Sequence, residues 1–124
     1  LIADDEPGFL EILGTKLKRN GFLIAEASNG REAVEKTANL KPDLIVMDIN
    51  MPDMNGTEAV IEIKKNTETK DLKVLFLTSL TDPWPGVKDH KEKVAKELGA
   101  AEFINKSEDL DKILEKIKTV LKSS

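Results

Sequence analysis

Four side chains in this sequence stand where they could do chemistry together, and each closes a short apolar run. Asp4 and Asp5 follow Leu1-Ile2-Ala3, Asp48 follows Leu44-Ile45-Val46-Met47, and Lys106 follows Ala101-Glu102-Phe103-Ile104-Asn105. If these runs are parallel strands of one sheet, their carboxyl ends share an edge, and open α/β sheets build their sites on that edge. Three carboxylates and an ammonium from distant parts of the chain would then converge. Two carboxylates roughly 5 Å apart repel by about 3 kcal/mol at an effective dielectric near 20. A third makes the site worse, so such a cluster demands a hard cation or bound protons.

The elements that must position these residues alternate along the chain. Pro7 suits the first turn of a helix, whose apolar positions Phe9, Leu10, Leu13 and Leu17 recur at helical spacing until Asn20-Gly21. Phe22 to Ala25 reads as a second strand. Asn29 can cap a helix with Ala33, Val34, Thr37 and Ala38 on its inner face. Leu44 to Met47 is continuously apolar, the mark of a parallel strand covered on both faces. Met51 to Gly56 is a turn-rich loop, followed by a helix with Ala59, Val60 and Ile63 inward. Val74-Leu75-Phe76-Leu77 is another fully apolar strand, ending at Thr78. A fourth amphipathic helix spans Val87 to Leu98 and stops at Gly99. The last strand is Ala101 to Asn105. Ser107 is placed to cap a final helix with the stripe Leu110, Ile113, Leu114, Ile117, Val120 and Leu121. A β-α unit repeated five times gives an α/β fold, a parallel sheet with helices on both faces.

Composition narrows the function. The 124 residues suit one domain with a real core, and the absence of cysteine excludes a disulfide framework or thiolate metal site. A net charge of −4 argues against a general nucleic-acid binder, and no apolar run approaches the ~20 residues that cross a bilayer. Leu1 to Ala3 reads as a strand cut short at its start, and no output domain is expected within residues 1–124.

Taken in order, these segments resemble a response-regulator receiver domain of two-component signalling, the CheY-like superfamily. The resemblance rests on Ala3-Asp4-Asp5-Glu6-Pro7, on Val46-Met47-Asp48-Ile49-Asn50-Met51-Pro52 with Asn55-Gly56, on Leu77-Thr78-Ser79, and on Gly99-Ala100 through Phe103 to Lys106. It implies a flavodoxin-like, doubly wound five-stranded parallel sheet in the order 2-1-3-4-5. By the same resemblance Asp48 is the phosphoacceptor for a partner sensor histidine kinase or phosphotransfer protein. The implied cofactor is Mg²⁺, held by Asp5, Asp48 and the backbone carbonyl of Asn50, with Asp4 acting through water. Thr78 and Lys106 would bind the phosphoryl group, and Phe103 would be the aromatic that turns with the threonine. The implied setting is cytoplasmic. A homodimer could form through the face of the fourth helix, fifth strand and fifth helix, with no direct nucleic-acid or membrane contact.

Two features depart from that pattern. The family has proline after the lysine, with a cis bond between them. Here Ser107 follows, and because a cis bond before a non-proline residue costs about 3–4 kcal/mol, a trans bond is expected. The stretch between Thr78 and Lys106 is also longer, with the extra length at Thr81-Asp82-Pro83-Trp84-Pro85-Gly86, where Trp84 is a loop anchor or a partner contact. Plainer readings stand beside several residues: Thr78 as a strand end, Phe103 as packing, His90 and the lysines at 88, 91, 93 and 96 as a solvated face. Among rival functions, an aspartate-nucleophile phosphohydrolase wants a general acid two residues after the nucleophile, where this chain has Asn50. A flavin module is disfavoured because Asp4-Asp5-Glu6 would repel its phosphate. A degenerate receiver that only binds protein partners would not need the intact acid cluster. The reading adopted is a signalling switch and not an enzyme.

Overall fold

Leu44 to Asp48 is buried at every position, because it is the central strand of a sheet covered on both faces. The computed structural model of the chain describes residues 1–78 and 102–122. In chain order its elements are β1 (Ile2–Ala3), α1 (Pro7–Arg19), β2 (Glu26–Ala27), α2 (Gly30–Leu40), β3 (Leu44–Asp48), α3 (Gly56–Lys65), β4 (Lys73–Thr78), β5 (Glu102–Asn105) and α4 (Leu110–Lys122). The five strands form one parallel sheet in the order β2-β1-β3-β4-β5, as expected. The helix expected over Val87–Leu98, the Thr81–Gly86 insertion with Trp84, and His90 lie outside the described residues.

Successive strand residues face opposite sides, so β3 and β4 each feed two cores. Ile45, Met47, Val74 and Phe76 pack with Ala33 of α2 and with Ala59, Val60 and Ile63 of α3. Val46, Leu75 and Leu77 pack with Leu10, Leu13 and Leu17 of α1 and with Ile113, Leu114, Ile117 and Val120 of α4. Completely burying one such Leu, Ile or Val side chain is worth about 1.5–3 kcal/mol, so the two cores set the sheet's rigidity. Among the described helices the inner faces match those read from spacing except at Ala38, which is exposed at the far end of α2. No helix among the described residues is long and apolar enough to cross a membrane.

Two boundaries differ from the sequence expectation. The second strand pairs at Glu26–Ala27, not over Phe22–Ala25. Ile2 and Ala3 pair with Glu26 and Ala27, and the Ile2 N–H donates to the Ala25 carbonyl at 2.9 Å. Phe22 and Ile24 still pack on the α1/α4 core, while Leu23 is wholly exposed, so the segment keeps the alternation of a strand without its ladder. The final helix begins at Leu110, and Ser107 does not cap it. Asp109 takes that place: its carboxylate accepts from the Asp111 N–H at 2.8 Å, and its carbonyl accepts from the Ile113 N–H.

Candidate functional site

The register of the sheet brings the charged residues to one edge. Ala3 of β1 lies opposite Met47 of β3, so Asp4 and Asp48 follow side by side. Asp48 lies opposite Leu77, Thr78 opposite Asn105, and Lys106 comes next. The Lys106 N–H donates to the Thr78 carbonyl at 2.7 Å, which carries the β4–β5 ladder one residue further and places the lysine at the edge.

There the Lys106 ammonium meets three carboxylates. Its Nζ lies 2.8 Å from Asp4 Oδ2, 3.1 Å from Asp48 Oδ2 and 2.7 Å from Glu6 Oε1. The Phe9 ring lies beneath it, 5.2 Å from nitrogen to centroid, within cation–π range. Each acid has a second anchor. Asp4 Oδ1 accepts from the Glu6 N–H at 2.9 Å, and Asp48 Oδ1 accepts from the Asn50 N–H at 3.2 Å.

Burial sets the electrostatics. Asp4 and Asp48 are almost wholly removed from solvent. Desolvation, followed by the neighbouring Asp4 charge, pushes the Asp48 carboxyl up to about 7, against the pull of Lys106. Desolvation also raises Asp4, opposed by its bonds to Lys106 and Glu6. Burial alone would lower the Lys106 ammonium, but its bonds to Asp4 and Glu6 and the charges of Asp4 and Asp48 hold it above the usual lysine value. One ammonium therefore serves several acids and leaves the edge with surplus negative charge. It is a cation-seeking site with a carboxylate oxygen held in place.

The family described as "Response regulator receiver domain" matches residues 1–118 of this sequence. The chain belongs to the response-regulator receiver family. It is 33% identical to protein PilH of Pseudomonas aeruginosa, over 98% of this chain and 95% of PilH. It is 36% identical to a protein-glutamate methylesterase/protein-glutamine glutaminase of Alkalilimnicola ehrlichii, over 98% of this chain but only 30% of that longer protein. Among solved structures, chemotaxis protein CheY4 of Vibrio cholerae is similar at a TM-score of 0.84 and 28% identity, covering 96% of this chain and 94% of that one.

This receiver domain holds its lysine without the proline of the family pattern. No cis peptide bond occurs among the described residues, so Lys106–Ser107 is trans as expected. The turn is held instead by Asn105, whose Oδ1 accepts from the Ser107 N–H at 2.9 Å and from the Ser107 hydroxyl at 2.7 Å. This Asx-type turn reverses the chain after β5 using a side-chain acceptor in place of a ring. It also explains why Ser107 is not available to cap α4.

On the other side of the acid pair, Gly56 sits directly against the backbone of Asp48. A Cβ at Gly56 would lie 2.1 Å from the Asp48 carbonyl oxygen, and the Gly56 N–H donates to the Ile49 carbonyl at 2.8 Å. The preceding Asn55 forms a capping box with Glu58, which fixes the start of α3 at that contact. The Asn55-Gly56 pair, legible only as a turn in sequence, is thus a close packing of helix start against the end of β3.

The structure gathers Asp4, Asp48, Lys106 and the Thr78 backbone. Asp5 is exposed; it, Asp4 and Glu6 each offer a carboxylate oxygen, and these lie within 4.8 Å of one another. The Asp4 and Asp5 oxygens and the surplus negative charge around one ammonium fit Mg²⁺, while the Glu6 oxygen is taken up by Lys106. Phe103 is partly buried and stacks on Phe76, with centroids 5.9 Å apart at 28°. Sequence reasoning missed Glu6 and Phe9 as partners of Lys106. The available signal was their offset of two and five residues from Asp4, at the start of a helix whose N-terminal end lies at the site. Glu6 is the N-cap residue of α1 but makes no side-chain cap, which leaves its carboxylate for the lysine.

Proposed function

We propose that the chain is a phosphoacceptor switch: Asp48 takes a phosphoryl group from a phosphohistidine of a sensor kinase or phosphotransfer protein. An Asp48 carboxylate oxygen attacks phosphorus, an O–P bond forms, the P–N bond to the histidine breaks, and the imidazole leaves with the electron pair. One observation carries this reading: Asp48, buried at the end of β3, is held by an ammonium that is itself anchored to Asp4. The Asn50 N–H and Lys106 orient the two carboxylate oxygens. Lys106 then pairs with the developing charge on the phosphoryl oxygens, and the Thr78 hydroxyl bonds one of them.

Asp5, Asp48, the Asn50 carbonyl and, through water, Asp4 would hold Mg²⁺, which when bound neutralises the acids and the phosphoryl oxygens. The new charge on Asp48 draws Thr78 and Lys106 toward it. Phe103, packed on Phe76, follows Thr78, and the shift alters a partner or homodimer face that includes β5 and α4. Residues 1–124 act as one receiver domain in the cytoplasm, and the aspartyl phosphate decays slowly, without enzymatic turnover. The test is direct. Incubated with Mg²⁺ and a small acyl phosphate, the parent gains the mass of one phosphoryl group and Asp48→Asn gains none. No gain in the parent, or an equal gain in the variant, refutes the proposal.

A further inference from the structure

Among the described residues, Glu6 is the one partner of Lys106 that lies mostly in solvent. Its side chain is 64% exposed, against 0% for Asp4, 6% for Asp48 and 11% for the lysine. Its contact is also the shortest of the three, at 2.7 Å. A lysine ammonium has three N–H donors. Glu6 Oε1 and Asp48 Oδ2 accept hydrogen bonds from it, Asp4 Oδ2 lies 2.8 Å away as an ion-pair partner, and the Phe9 ring closes a further side. Among the described residues these contacts crowd the ammonium, so a new acceptor must take the place of one of them. Releasing Asp4 would strand a fully buried charge, which is expensive. Releasing Glu6 returns an exposed carboxylate to water at little cost, because ion pairs with a solvent-exposed partner are worth about 0–1 kcal/mol.

We infer that Glu6 is a positioning residue for Lys106: it holds the ammonium at the sheet edge until a phosphoryl oxygen on Asp48 displaces it. This rests on Asp48 being the phosphoacceptor. The exchange is one of hydrogen bonds, an N–H bond to Glu6 Oε1 for one to a phosphoryl oxygen, and no proton is transferred. When an acyl phosphate is the donor, the O–P bond to Asp48 forms as the donor's O–P bond breaks, and the carboxylate leaves with the electron pair. The Glu6 contact must loosen during that step, so it slows phosphoryl acceptance.

The experiment compares the parent, Glu6→Gln and Glu6→Asp with excess small acyl phosphate at saturating Mg²⁺. Phosphoryl gain is followed by intact mass, and Mg²⁺ affinity by thermal shift. Gln removes the charge. Asp keeps the charge but shortens the arm by about 1.5 Å, beyond reach of the present contact. Both variants should accept the phosphoryl group about two- to fivefold faster, the factor that a pair of up to about 1 kcal/mol sets, with Mg²⁺ affinity unchanged. Parent-like rates in both would overturn the inference and leave the phosphoacceptor reading standing. A faster Gln variant beside a parent-like Asp variant would also overturn it, since general repulsion of the donor would then be the cause. Lost Mg²⁺ affinity would make Glu6 a metal ligand instead. A parent that gains no phosphoryl group removes both readings.

Discussion

Replacing Asp48 by asparagine should stabilise the metal-free protein at neutral pH, although it removes the residue on which the proposed function depends. The Asp48 carboxyl is raised from the ordinary 3.8 to about 7 by burial and by Asp4. A group raised in the folded state adds its full stability below the unfolded pKa and loses it as pH climbs through the folded one. Between pH 4 and 7 the folded parent therefore sheds stability that the neutral amide, which does not titrate, keeps. Each pKa unit is worth about 1.4 kcal/mol, so a rise of this size sets a ceiling of about 4 kcal/mol above pH 7. That value already contains the opposing pull of Lys106, and relaxation around the buried acid lowers the ceiling, so a gain of about 1–3 kcal/mol is the working expectation. The assay is urea unfolding in EDTA at pH 5, 6, 7 and 8, followed by circular dichroism. The gap between variant and parent should widen from pH 5 to 7 and then level off. A variant no more stable than the parent at pH 8, or a gap independent of pH, would refute the electrostatic account.

Three further outcomes follow from the same geometry. Mg²⁺ should stabilise the parent by about 1.4 kcal/mol for each tenfold excess over its dissociation constant, and Asp48→Asn far less, in melts with and without the ion. Lys106→Met strands Asp4 and Asp48 without a cation, so it should cost about 3–5 kcal/mol at pH 8 and clearly less at pH 5; an equal loss at both would show that packing, not charge, is responsible. Gly56→Ala forces a methyl group 2.1 Å from the Asp48 carbonyl oxygen, so unfolding should show a loss of about 3 kcal/mol and phosphoryl acceptance should drop with it, whereas an exposed glycine such as Gly8 should tolerate alanine.

Much of this architecture can be read along the chain. Leu44 to Met47 and Val74 to Leu77 announce buried parallel strands because no polar residue interrupts them. The inner faces of α2 and α3 follow from spacing alone, as Ala33 and as Ala59, Val60 and Ile63 show. Asp4, Asp48 and Lys106 could be picked out because each ends an apolar run. The errors came where a neighbour decides. The position of β2 is set by its register against Ile2 and Ala3, and local propensity does not contain that. Ser107 looks like a cap by type, yet Asn105 binds its N–H and hydroxyl and so leaves Asp109 to start α4.

The sequence by itself determined the class of the fold, the two-faced core and the three residues of the acid–lysine set, because periodicity and strand ends are local properties. Only the tertiary structure decided that one ammonium would be shared among Asp4, Asp48 and Glu6, that Phe9 would lie beneath it, and that Gly56 would press on Asp48. Those contacts join residues up to a hundred positions apart. Their energies depend on distance and on exclusion of water, and neither is defined until the sheet has closed its register.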